Sequence, residues 1–417
     1  MDRRPDSPSP LHLIAATLAV VVFSRSATGI YPAVGIVDGS ELTTAGRLIY
    51  PVVGVAAAAV VMARRGVGGF RNPVWLLVLV CALSTIWSAD RERSAFQAIV
   101  LTSAVVAGCA VSSVWRGRTG YVLGLVLCLT ASLNLAADVF GVARSITEGG
   151  LMEHKNLLGS LAAIGAVSLA ASPGERGPAW RITRVASMVA SVIVVVYCES
   201  RTSLLVLVVG IAAIAVARIV QRGMKTMLVP LFAAALLGGL IVVRAMGGVD
   251  GLLASGGKDS TFTGRTEIWH FALELWRLRP IQGWGFFAPW GNVRLVPSME
   301  TGFEQFNVRS SHNGFVEMLV GVGLIGAASF VIVVARCVRS VVRSRSVWAT
   351  AVIAMVLAGS MFESILPGPV NTLSFFVLAS AMNLSETTRS ERQPGTSPPL
   401  TASDTIGHRR PAPIVGS

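Results

Sequence analysis

Charge is scarce in this 417-residue chain: 14% of its residues are Asp, Glu, Lys or Arg, and only 22 acids stand against 35 bases. That is too little to cover a surface that faces water on all sides. Five cysteines (Cys81, Cys109, Cys128, Cys198 and Cys337) lie in or beside apolar runs without framework spacing, which excludes a disulfide scaffold and leaves them as small packing residues. Five histidines and no His-Glu-x-x-His or Cys/His cluster leave no metal motif. The alternating pattern of barrel strands is missing as well. What fills the chain is apolar: 53% of residues are hydrophobic, mean hydropathy is +0.66, and long runs recur from Leu11 to Leu384. Lipid offers the backbone no hydrogen-bond partners, so these runs must be helices, and the fold class is all-α, a polytopic integral membrane protein. The first run is followed by Ser24-Arg25-Ser26 and further apolar segments, as expected of a first span and not of a cleavable signal.

The sequence predicts about 12 spans, near 11–24, 44–63, 73–88, 96–114, 120–140, 156–172, 185–199, 201–217, 226–246, 313–335, 347–363 and 370–385. Basic connections follow every second span: Arg64, Arg65 and Arg71; Arg116 and Arg118; Arg176, Arg181 and Arg184; Arg218, Arg222 and Lys225; Arg336, Arg339, Arg343 and Arg345. With the termini they hold 21 Lys and Arg against six acids, while the other 14 bases meet 16 acids, so the net +13 divides into +15 on one side and −2 elsewhere. The charge is therefore an orientation signal that puts both termini in the cytoplasm. A nucleic-acid footprint would need a basic soluble domain, and none exists. Four segments follow: helices 1–9 in residues 1–246, an extracytoplasmic catalytic loop at 247–312, helices 10–12 at 313–385, and a tail at 386–417 whose Ser, Thr and Pro content predicts disorder.

Three outward features carry chemistry. Between the basic groups at Arg184 and Arg218 lie about 33 residues, some 50 Å of helix, too long for one ~30 Å span. Two helices of about 16 residues meeting at Ser200-Arg201 satisfy this, and would hold Arg201 at or below headgroup depth, where a charge needs a cavity or a partner. Pairing with Glu199, or snorkelling, is the plainer account. The second feature is the long loop, whose charges balance, so its arginines act singly. Ile268, Trp269, Ala272, Leu275 and Trp276 recur at helical spacing, predicting an amphipathic helix from Arg265 to Leu278 on the outer surface, with Thr263 as its cap. Arg265 in the first turn opposes the helix dipole but, with the free amides there, suits a diphosphate; pairing with Glu267 or Asp259 is the alternative. The third is Ser311-His312-Asn313-Gly314-Phe315-Val316-Glu317 at the loop's re-entry. An imidazole accepts a proton at neutral pH, as a general base must, and Glu317, four residues from Asn313, is placed to orient His312 or to meet an arginine. An interfacial cap is the simpler role for His312. Glu153-His154-Lys155-Asn156-Leu157-Leu158-Gly159 adds an imidazole and a cation at the same face, as support or as an anchor.

Taken in order, His154-Lys155-Asn156-Leu157-Leu158-Gly159, Ser200-Arg201-Thr202-Ser203, Ser260-Thr261-Phe262-Thr263-Gly264-Arg265-Thr266-Glu267-Ile268-Trp269, the Pro280-x-x-Gly283-x-Gly285 turn and Ser311-His312-Asn313-Gly314 resemble the O-antigen ligase and polymerase superfamily, its exopolysaccharide-polymerase branch in particular. Trp87-Ser88-Ala89-Asp90 resembles that family's early external motif. The likeness covers about residues 80 to 330. It implies a GT-C-like membrane glycosyltransferase without metal or cofactor, acting at the outer face of the cytoplasmic membrane. Its donor would be an undecaprenyl-diphosphate-linked glycan and its acceptor a saccharide hydroxyl, with membrane lipids and polysaccharide-export proteins as partners. By the same likeness Arg201 and Arg265 bind the donor diphosphate and His312 is the catalytic base, with His154, Lys155, Asn313 and Glu317 in support. Polymerisation is favoured over ligation.

A transporter or flippase of lipid-linked glycans is the competing reading. It predicts charges along a path and paired broken helices, whereas the polar residues here gather at one face. A cysteine introduced between 247 and 312, in a chain freed of its five native cysteines, is expected to react with a membrane-impermeant maleimide applied to the outside of intact cells. Labelling only from the cytoplasmic side would overturn the orientation.

Overall fold

The computed structural model describes residues 8–23, 37–38, 41–42, 44–66, 74–142, 145–148, 150–152, 155–172, 177–224, 265–291, 310–361 and 377–382. Its helices are α1 (Pro10–Phe23), α2 (Thr44–Arg65), α3 (Val74–Leu83), α4 (Arg91–Val114), α5 (Thr119–Val139), α6 (Lys155–Ala171), α7 (Pro178–Tyr197), α8 (Arg201–Gln221), α9 (Arg265–Leu278), α10 (Gly314–Ser344) and α11 (Val347–Ser360). A single two-residue antiparallel pair, Val37–Asp38 with Glu41–Leu42, is the only sheet among the described residues. Six of these helices, α2, α4, α5, α7, α8 and α10, are long and apolar enough to cross a membrane, and α1, α3, α6 and α11 are shorter apolar helices. They coincide with the expected spans except the ninth, at 226–246, and most of the twelfth, which lie outside the described residues.

Two boundaries differ from expectation and share a cause. Helix α7 begins at Pro178, so the α7–α8 pair has 20 and 21 residues where about 16 each were expected. Helix α10 runs through Arg336, Arg339 and Arg343, which the sequence had as a connection. In both places arginines lengthen a helix because nothing in them breaks it, and charge alone does not stop a helix that has left the lipid. Arg201 thus tops a helix long enough to reach the surface, and its side chain is exposed.

Helix α6 sits at the centre of its half of the bundle. Every residue from Leu157 to Leu169 is buried, against α5, α7, α8 and α11. Helix α4 is the counterpart in the other half, buried from Ser103 to Val114 and packed on α1, α2 and α3. Hydrophobic burial does not drive helices together in lipid, so close approach through small residues does. A Cβ on Gly124 of α5 would stand 2.8 Å from the Leu169 amide, and one on Gly165 of α6 would stand 2.9 Å from the Leu127 Cβ. At the basic end, arginines cap neighbouring helices: Arg64 Nε donates to the Ser113 carbonyl at 3.1 Å, Arg218 to Ala170 at 3.0 Å, and Arg184 to Ser172 at 2.9 Å and to Leu169. These carbonyls end α4 and α6, where the dipole favours a cation.

Helix α10 breaks ten residues in. Gly323 has φ +64° and ψ −159°. The groups freed there bond to the turn that follows α9: Trp284 N donates to Val320 O at 3.1 Å, Gly285 N to Gly321 O at 2.7 Å, and Leu324 N to Pro280 O at 2.9 Å. A Cβ on Gly323 would lie 2.3 Å from the Ile281 carbonyl oxygen. Gly323→Ala therefore combines a left-handed backbone with a clash and is expected to lower unfolding stability by about 2 kcal/mol or more, read by thermal unfolding in detergent. Gly141→Ala, at φ +65° with nothing within 4 Å, serves as the control and should lose about 1 kcal/mol.

Candidate functional site

The site begins where α10 starts. Asn313 is its cap: the side-chain oxygen accepts from Phe315 N at 2.9 Å and Val316 N at 3.2 Å, and Nδ2 donates to the Met361 carbonyl at 3.1 Å, just past the end of α11. Ahead of the cap, His312 is partly exposed and held at φ +50°. A side-chain-bearing residue in that conformation costs about 1–2 kcal/mol, so its surroundings must impose it.

What imposes it is Ser311, which is wholly buried. Its amide donates to Glu317 Oε2 at 2.9 Å, and its carbonyl accepts from Trp269 Nε1 at 2.9 Å. Its hydroxyl lies 2.9 Å from Glu317 Oε2 and 2.8 Å from the Asn313 carbonyl, and its one proton serves one of them. Glu317 is 2% exposed and takes a further hydrogen bond from Trp290 Nε1. A buried carboxyl with several donors aimed at it has the satisfaction a buried charge requires. Glu317 therefore grips Ser311 and Trp290, and reaches His312 through the chain.

Arg265 is the first residue of α9, and Trp269 lies one turn further on. The tie from Trp269 to Ser311 therefore holds the opening turns of α9 beside His312. The Pro280–Phe286 turn then locks the far end of α9: Trp284 Nε1 donates to Leu275 O at 2.8 Å, and Trp276 Nε1 to Pro280 O at 3.0 Å. The Trp87-Ser88-Ala89-Asp90 motif secures the same turn. Trp87 Nε1 donates to Gln282 O at 2.8 Å, Ala89 N to Trp284 O at 2.9 Å, and Ser94 Oγ to Phe286 O at 2.7 Å, while Asp90 caps α4. The glycines at 283 and 285 are there because each Cβ would strike backbone or Ser88, at 2.6 Å and 2.2 Å respectively.

Arg201 stands on the second half of the site, as the first residue of α8. The turn before it bends through Glu199 at φ +48°, and Ser200 caps the helix by accepting from Ser203 N at 3.3 Å. Ser203 Oγ bonds Ser200 Oγ at 2.8 Å and the Asn156 carbonyl at 3.4 Å, tying this turn to the start of α6. Gly159 permits the approach, since its Cβ would lie 2.5 Å from Ser203 Oγ. Lys155, first in α6, is close enough for its charge to act on Cys198. Two cationic helix starts are thus side by side. His154 lies outside the described residues, as do the neighbours of Arg265 in the loop, 247–264 and 292–309.

Helix α11 relates the halves. It packs along α8, with Gly210 against Met355, and Gln221 at the basic end of α8 bonds the Arg345 carbonyl that precedes α11. The pair is antiparallel, so the start of α8 at Arg201 lies toward the same end of the bundle as Met361, the residue that Asn313 grips. Arg201, Lys155, the start of α9 and His312 accordingly share one end of the bundle, opposite the arginine caps. The sequence did not single out Trp290 or Ser311 individually, and it read Trp269 as an apolar helix position within a family-like motif, with no hydrogen-bonding role. An indole on a helix that borders a polar motif was the available signal, because a buried Trp needs an acceptor. Among the described residues no three His, Cys, Asp or Glu side chains gather to hold a metal.

Two comparisons bear on this arrangement. Residues 186–331 match the O-antigen ligase family. The chain is also 29% identical over 289 residues to the exopolysaccharide production protein ExoQ of Rhizobium meliloti (strain 1021), a match that covers 63% of this chain and 64% of that protein. Residues 186–331, which contain Arg201, Arg265 and His312, are thus similar to the O-antigen ligase family, and the chain resembles an exopolysaccharide production protein of which it spans less than two thirds.

Proposed function

We propose that this protein is a membrane glycosyltransferase that moves a glycan from undecaprenyl diphosphate to a saccharide hydroxyl at the outer face of the cytoplasmic membrane, with polymerisation of a surface polysaccharide as its task. The observation that carries the reading is the gathering of Arg201, the start of α9 and His312 at the end of the bundle opposite the arginine caps. That separation supports an outward site under the positive-inside rule, with both termini inside. The likeness to an exopolysaccharide production protein supports a polymerase over a ligase.

The chemistry then follows. The acceptor hydroxyl attacks the anomeric carbon, its oxygen forming the new glycosidic bond while the bond from that carbon to the diphosphate oxygen breaks. The hydroxyl proton passes to the imidazole of His312, and the electron pair leaves with polyprenyl diphosphate. Arg201 and Arg265 stabilise the charge that grows on the departing diphosphate, which guanidinium groups do by paired hydrogen bonds. Lys155 adds charge at the Arg201 end, and Asn313 and Glu317 set the backbone from which His312 projects. No metal takes part in these steps.

The test is reconstitution of the whole chain in liposomes with a polyprenyl-diphosphate oligosaccharide as donor and its own repeat unit as acceptor. Wild type is expected to release polyprenyl diphosphate and lengthen the glycan equally well with and without EDTA. Arg201→Ala, Arg265→Ala and His312→Ala should each lower the rate by about 100-fold or more. Undiminished transfer by His312→Ala across the pH range would remove the base, and movement of the donor across the bilayer without bond formation would favour the transporter reading.

A further inference from the structure

The backbone ahead of His312 is fixed at Ser311. Both peptide groups of Ser311 are tied, the amide to Glu317 Oε2 and the carbonyl to Trp269 Nε1, each at 2.9 Å. Fixing both groups leaves the chain no freedom to swing before it enters the left-handed conformation of His312 and the Asn313 cap. The two ties come from different elements. Glu317 is on α10 itself, one turn below the cap, and is steadied by Trp290 from the Pro289–Gly291 turn. Trp269 is on α9, whose other end is fixed to α10 through the Pro280–Phe286 turn and to α4 through Ser94.

We propose that Trp269 and Glu317 are positioning residues that act on His312 through Ser311, and that the Trp269 tie also sets the spacing between the base and the diphosphate-binding start of α9. The second part rests on the function proposed above, since it needs Arg265 to face a diphosphate. The argument for it is positional. Arg265 is one turn from Trp269 in the same helix, so a tie that pins Trp269 to Ser311 pins the helix start to the residue beside the base. A base and a leaving-group clamp must be held at a fixed separation for in-line displacement, and an ångström of slack is worth large factors in rate. Neither residue touches the substrate in this scheme, which is why the effect is to be sought in turnover and local order.

Trp269→Phe is the informative variant: it keeps an aromatic ring in the partly buried slot but removes the donor. In the reconstituted full chain it is expected to lower kcat about tenfold with donor and acceptor KM within about twofold and the unfolding midpoint unchanged. Glu317→Gln keeps the shape and one acceptor oxygen and should show the same pattern more strongly. Hydrogen exchange of the 310–313 amides is measured in parallel and should quicken in both variants. That measurement needs no substrate, so it tests the clamp even if wild type proves unable to transfer glycan, an outcome that would defeat the function and not the clamp. Unchanged exchange at 310–313 in Trp269→Phe would overturn the clamp. Faster exchange with kcat unaltered would overturn the positioning role, as would a kcat that falls only in proportion to lost folded protein.

Discussion

A helix broken inside a membrane bundle must find partners for its backbone, because lipid supplies none. Around Gly323 of α10 those partners are the backbone groups of the Pro280–Phe286 turn. Much of the architecture at this end depends on that exchange. It draws the turn between α10 and the start of α4, and so fixes the end of α9 that the turn leaves. It also explains why Gly283, Gly285 and Gly323 are glycines: two backbones lie against each other where a Cβ would need the same space. The cost of the break is met by hydrogen bonds whose strength in a dry interior exceeds their worth in water.

The opposite end obeys a different constraint. Carbonyls that end α4 and α6 face arginines from α2, α7 and α8. The same side chains that orient the chain also close its helices, which is efficient use of a group the bilayer admits only at its edges. The bundle is therefore polarised. One end is cationic and structural. At the other, buried polar groups tie the turns together around Ser311 and Ser203, and His312 and Glu199 are in the left-handed region, as Arg345 is at the cationic end.

Much of the fold was legible because membrane helices announce themselves by composition, and the spans at 44–63, 120–140 and 347–363 fall within a few residues of α2, α5 and α11. The helix from Arg265 to Leu278 was legible from its apolar spacing, and Asn313 and Glu317 from their place beside His312. The extent of α7 and α10 was not, since hydropathy marks where lipid ends and a helix continues past it. Nor was the break at Gly323: one glycine among Gly321, Gly323 and Gly326 in an apolar run reads equally as a packing contact. The ties of Trp269 and Trp290 were hidden because an indole scores as apolar although its N–H requires an acceptor.

By itself the sequence determined the class, the orientation signal and the chemical inventory: spans, basic connections, two arginines and a histidine placed beside turns. These are local properties, written in composition and in spacing along one chain. The tertiary structure alone decided which turns meet. Ser203 reaches Asn156 across 47 residues, Trp269 reaches Ser311 across 42, and Trp87 reaches Gln282 across 195. Such contacts depend on how helices lie against one another, which small residues and paired backbone groups settle in three dimensions and which no periodicity along the chain records.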